Sequence, residues 1–124
     1  MINGRFSNDD TLIFELSLIA SDGLELPTDV MLDTGFSGWL AIDEQDLEGL
    51  DWTYLRTIAQ QTARGVSDFD IYAGKVRLDG SDFDILVHVG EGLTEILFGL
   101  KWLKTRRLVV DMASGVLTLG NGGS

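Results

Sequence analysis

The stretch Met31-Leu32-Asp33-Thr34-Gly35-Phe36-Ser37-Gly38-Trp39-Leu40-Ala41-Ile42 sets a carboxylate on a Thr-Gly turn between two apolar runs. A turn chosen for geometry alone usually lies in water, whereas this one is flanked by residues that belong in a core. A carboxylate so placed has to be hydrogen-bonded or has to share a proton with another group. The chemistry open to a proton-sharing carboxylate is general acid–base catalysis.

Other catalytic sets lack members. The chain has no cysteine, which removes thiol nucleophiles, thiolate metal sites and disulfides. His88 is the sole histidine and sits in the strand-like run Ile85-Leu86-Val87-His88-Val89, so it reads as an ordinary strand residue, and serine–histidine catalysis is not expected. The acidic pairs Asp43-Glu44 and Asp82/Asp84 have no further ligand at useful spacing and read as solvated surface, so no metal and no cofactor are expected. Trp39, Trp52 and Trp102 read as core, and Arg106-Arg107 as charge at a helix C-terminus.

The chain that must position Asp33 is 124 residues long, enough for one core. The reading is a single domain over 1–119 with a flexible tail at 120–124. Hydrophobic residues at 44% and a single proline mark a globular composition. The formal charge of −11 repels phosphate backbones and anionic lipid, so neither nucleic acid nor membrane is an expected partner. There is no basic, apolar leader at the start and no run of membrane-spanning length, and the expected location is cytoplasmic.

The hydrophobic pattern is mostly period two. Leu12 to Ile19 reads as a strand after the Asn8-Asp9-Asp10 turn, with Ile2 to Phe6 as the other arm of a hairpin. Leu24 to Leu26 and Val30 to Leu32 follow the Ser21-Asp22-Gly23 turn and lead into Asp33. Gly38 to Ile42 resumes as a strand, and Ile71 to Leu78 and Phe83 to Val89 form two more, joined at Asp79-Gly80. Leu108 to Asp111 and Gly115 to Leu119 close the chain as strands. Leu47, Leu50 and Tyr54 predict a helix over 43–54, and Leu100 to Lys104 predicts another short one.

In that order the chain resembles the retropepsin-like aspartic peptidases, single-domain relatives of retroviral proteases and of each lobe of pepsin. The resemblance rests on Leu32-Asp33-Thr34-Gly35 after an apolar run, a glycine-containing segment Thr62-Ala63-Arg64-Gly65-Val66, the later Ile96-Leu97-Phe98-Gly99 followed by Leu103, and terminal strands around Asp111. It implies an all-β closed barrel or sandwich of the acid-protease type with one short C-terminal helix. Asp33 would be the catalytic acid, Thr34 would hydrogen-bond across a dimer, and Gly35 would allow the tight turn. Phe36, Ser37, Gly38 and Leu97 would line the substrate cleft. Ala63, Arg64, Gly65 and Val66 would form the tip of a mobile flap. Two positions depart from the family pattern: Phe36 stands where retroviral enzymes often carry alanine and pepsin-like ones a serine or threonine, so it brings no hydroxyl to the carboxylate, and Leu100 stands where an arginine usually follows the glycine in retroviral proteases.

Water-mediated peptide hydrolysis needs two carboxylates holding one proton between them. No second Asp-Thr-Gly or Asp-Ser-Gly occurs, and Asp111-Met112-Ala113-Ser114-Gly115 is wrongly spaced. The expectation is therefore a homodimeric aspartic endopeptidase with Asp33 contributed twice and peptide or protein as substrate. The alternatives are a non-catalytic dimerisation or peptide-binding module on the same fold, and a plain β domain with a coincidental turn.

Overall fold

The structure is a computed structural model describing residues 1–62 and 65–121. Alternation in sequence becomes alternation in burial: along β3 (Leu12–Ile19), Phe14, Leu16 and Leu18 are buried while Glu15 is exposed. This strand pairs antiparallel with β4 (Glu25–Leu32), setting Phe14 opposite the equally buried Val30. β7 (Gly65–Leu78) and β8 (Ser81–Gly90) are joined through Asp79 and Gly80, both at positive φ, the combination that two-residue type I′ hairpins require.

The main sheet runs β2 (Arg5–Phe6), β3, β4, β9 (Leu97–Phe98), β5 (Leu40–Asp43), β8, β7 and β6 (Thr53–Thr62). A further pairing of β3 with β7 at Leu18 and Val76 joins two strands that lie far apart in that order and closes a barrel. Two pairings are parallel, β4 with β9 and β5 with β8. A second sheet has three strands, β1 (Ile2–Asn3), β11 (Val116–Asn121) and β10 (Arg106–Asp111), in that order. Leu117 and Leu119 of β11 join Phe14, Leu40, Val87, Phe98 and Trp102 in one core. Burying a Phe98 or a Leu40 completely contributes about 2 to 3 kcal/mol each. The Trp102 ring lies flat on Phe98 at 5.2 Å and its indole N–H donates to the Trp39 carbonyl at 2.9 Å.

Several elements differ from their sequence pattern. The helix expected over 43–54 is a single 3₁₀ turn, Glu44–Leu47, because Gly49 and Asp51 take positive φ and turn the chain away. Tyr54 belongs to β6. The short helix at Leu100–Lys104 is present as a 3₁₀ turn, and Arg106 and Arg107 open β10 rather than ending a helix. Only Arg5 and Phe6 form a hairpin with β3, while Ile2 and Asn3 pair with β11. β5 begins at Leu40, later than expected, because Gly38 and Trp39 bend toward residues 99 to 102. β11 continues into the expected tail through Gly120 and Asn121, which pair with Arg107 and Arg106. The remainder of that tail lies outside the described residues. Among the described residues no helix is long and apolar enough to cross a membrane.

Candidate active site

β4 ends at Leu32 and hands Asp33 to a loop that is strapped down at both ends. The Asp33 N–H donates to the Phe98 carbonyl at 3.0 Å, and the Phe36 N–H returns to the Asp33 carbonyl at 3.1 Å, closing the turn. On the far side, the Leu100 N–H donates to the Phe36 carbonyl at 2.8 Å and the Gly99 N–H to the Trp39 carbonyl at 2.9 Å. Residues 98 to 100 therefore act as a backbone latch on the loop, with Leu100 contributing its amide. The latch explains Gly99: a Cβ there would lie 1.9 Å from the Gly38 carbonyl oxygen, so no other residue fits without moving the loop.

The carboxylate itself is oriented by its own turn. Asp33 Oδ1 accepts the Gly35 N–H at 2.9 Å. Gly35 is not in the left-handed region, so the turn does not need its conformational freedom; a Cβ would sit 3.1 Å from Asp33 Oδ1 and crowd the carboxylate. Among the described residues no hydrogen bond uses Asp33 Oδ2 or the Thr34 hydroxyl. Asp33 is half-buried, while Thr34, Gly35 and Ser37 are exposed in the single chain.

The other expected site residues divide. Phe36, expected in the cleft, is turned inward and 6% exposed, because the latch at its carbonyl points its ring under the loop. Gly38 is buried with it: a Cβ there would meet the Phe36 ring at 2.6 Å. Leu97 is half-buried in β9, between Met31 and Ala41. β6 and β7 form a long hairpin with Thr62 paired to Gly65, which takes φ of 105°, and Val66 is exposed beside it. Ala63 and Arg64, the rest of the expected flap tip, lie outside the described residues. Among the described residues no cluster of three or more metal-binding side chains occurs.

One residue next to the loop is legible in the sequence only as a strand position. The His88 ring stands edge-on to Phe36 at 5.0 Å and to Phe69 at 5.7 Å, and its Nε2–H donates to Gln60 Oε1 at 2.9 Å. Its Nδ1 is buried without a partner. Burial, with Lys101 and Arg56 nearby, lowers its pKa to about 4, so the ring is neutral at pH 7. The unfolded chain takes up a proton near pH 6.5 that the native ring refuses, so stability falls as pH drops from about 6.5 toward 4. With solvent screening of this partly exposed ring, the loss is about 1 to 2 kcal/mol. Thermal unfolding between those pH values should show a shallower slope for His88→Gln than for the wild type; equal slopes would assign the acid sensitivity elsewhere.

No protein-family profile matches the chain. No curated protein matches it. Among solved structures it is similar to a retropepsin-like aspartic protease from Rickettsia conorii, with a TM-score of 0.65 and 21% identity, over 97% of this chain and 89% of that one. Barrel, latched aspartate loop and that likeness together make this an all-β chain of retropepsin-like fold.

Proposed function

We propose that the chain is one half of an aspartic endopeptidase, active as a symmetric homodimer in which Asp33 is contributed twice. The observation that carries this reading is the latched Asp33 loop, which offers a half-buried carboxylate with one oxygen uncommitted. Two such carboxylates about 3 Å apart cannot both ionise and hold one proton between them. The ionised one takes a proton from a bound water, whose oxygen attacks the scissile carbonyl carbon, while the protonated one hydrogen-bonds the carbonyl oxygen. As the tetrahedral intermediate collapses, the carbon–nitrogen bond breaks and a proton passes to the leaving amine. The β6–β7 hairpin covers the cleft and pairs with an extended substrate through backbone hydrogen bonds, with apolar side chains preferred beside the scissile bond.

The surface supports self-association. β10 is the edge of the three-stranded sheet and exposes Val109 and Val110, with Met112 and Val116 exposed beside them. An open apolar edge is a template for another strand. A second β10 laid antiparallel about a two-fold axis through Val109 sets Arg107 opposite Asp111 of the other copy, twice. The Ser114 hydroxyl and amide hold the Asp111 carboxyl below the usual carboxylate range, so it stays charged in mild acid.

Each copy brings a charge of −11, so protonating other surface carboxylates between about pH 4 and 6 relieves repulsion. Sedimentation equilibrium should show a tighter dimer at about pH 5 than at about pH 7.5, with salt at the higher pH partly replacing acid. Tighter association at high pH and low salt would contradict the charge argument. The function itself is tested by cleavage of an unbiased peptide library from about pH 3 to 8, with a statine-type inhibitor as control. Absence of cleavage by a demonstrated dimer would leave the non-catalytic peptide-binding module.

A further inference from the structure

We propose that His88 is a positioning residue that ties the β6–β7 hairpin to the Asp33 loop, making cover and floor of the cleft one mechanical unit. The proposal rests on the peptidase reading only for what the cleft does; the coupling stands on geometry.

β7 lies between β8 and β6, yet the His88 ring of β8 reaches Gln60 of β6. In register, Gln60 faces Ser67 and His88 faces Ile71. Those two β7 positions are about 13 Å apart along a straight strand, and β6 and β8 are about 10 Å apart across it. A bond of 2.9 Å between Gln60 and His88 therefore needs the hairpin to curl back over the barrel. Phe69, on the other arm, also packs edge-on against the ring at 5.7 Å, so both arms are held. The third contact is Phe36, the residue that follows Asp33-Thr34-Gly35 and whose carbonyl is latched by Leu100. Gly38 completes the seat: a Cβ there would meet the His88 ring at 3.0 Å.

The ring performs this role while neutral. Nδ1 has no partner, and a proton added there would be a buried donor without an acceptor. The charged groups that act on the ring are both cations, Lys101 from the 3₁₀ turn and Arg56 from β6, and each disfavours an imidazolium. Acid below about pH 4 thus pushes the ring out of its seat and frees all three contacts at once.

Amide hydrogen exchange of the full chain tests this without needing catalysis. Gln60→Leu removes one hydrogen bond from a half-buried position and leaves the ring in place. It should speed exchange about three- to tenfold in residues 58–62 and 65–70 and also in residues 34–38. His88→Gln, which keeps an amide donor for Gln60, should retain most hairpin protection but lose the difference between about pH 3.5 and 6 expected of the wild type. Faster exchange confined to residues 59–61 in Gln60→Leu, or an unchanged acid response in His88→Gln, would overturn the coupling. A failure to cleave any peptide would overturn the peptidase reading and leave these exchange results standing.

Discussion

Asp33→Asn should abolish hydrolysis at every protein concentration while the dimer persists. The substitution keeps the side chain's size and an oxygen for the Gly35 N–H, so the loop latched by Phe98 and Leu100 has no reason to move. What disappears is the group that takes a proton from water and the proton shared across the two-fold axis. Repulsion within the dyad goes too, so association should be unchanged or slightly tighter. Thr34→Ala should fail differently. Thr34 is exposed in the single chain, and its hydroxyl is available to bond across the proposed interface. Deleting it should loosen the dimer by about 1 to 3 kcal/mol per unsatisfied buried group, with activity recovering as concentration rises. Initial rates over a concentration series, read beside sedimentation, separate the two. Wild-type cleavage by Asp33→Asn would end the aspartic peptidase reading.

Val110→Asp should dissociate the dimer without unfolding the chain. Val110 is 42% exposed and lies opposite Leu117 near the end of β10, so the single chain accommodates a carboxylate in solvent. In the proposed strand pair the same position faces Leu108 of the second copy, and an unpaired carboxylate there costs several kcal/mol. The dissociation constant should rise at least about 100-fold, with specific activity falling in parallel at fixed concentration. Arg107→Glu should give a smaller loss, since it sets a second carboxylate against Asp111 of the other copy, and adding Asp111→Lys should restore most of it. An unchanged dissociation constant in Val110→Asp would mean that the copies meet through another surface.

The parts of this fold that can be read from the chain are those whose information is local. Asp79-Gly80 names its own turn, because both residues accept the positive φ that a two-residue hairpin demands. β3 and β8 each carry a buried face and so a detectable alternation. β6 carries none: most of its residues are exposed, and Thr53 to Thr62 has no pattern to detect. The false helix over 43–54 arises from three apolar residues at helical spacing, although Gly49 is a stop signal among them. The parallel pairings of β4 with β9 and β5 with β8 join residues far apart in sequence, and neither partner's pattern encodes the other.

The site divides in the same way. The turn that carries Asp33 is legible because Thr34 and Gly35 between two apolar runs form a local signal. Phe36 is not, because its neighbours say nothing about which way a loop residue turns; the Leu100 amide decides that from far along the chain. His88 reads as an ordinary strand residue, since its contacts with Phe36 and Gln60 exist only once the hairpin has curled.

The contact between Gly38 and Gly99 bears on how fast two copies would meet in the proposed dimer. With no Cβ between the two backbones, the Asp33 loop is already shaped before any partner arrives. Encounter is then a docking of rigid faces, with little loop disorder to be lost on the way. Such docking proceeds at about 10⁵ to 10⁷ M⁻¹s⁻¹, and the like net charge of the two copies pulls it to the lower end. The lifetime of the pair, rather than the rate of collision, is then where substitutions along β10 register.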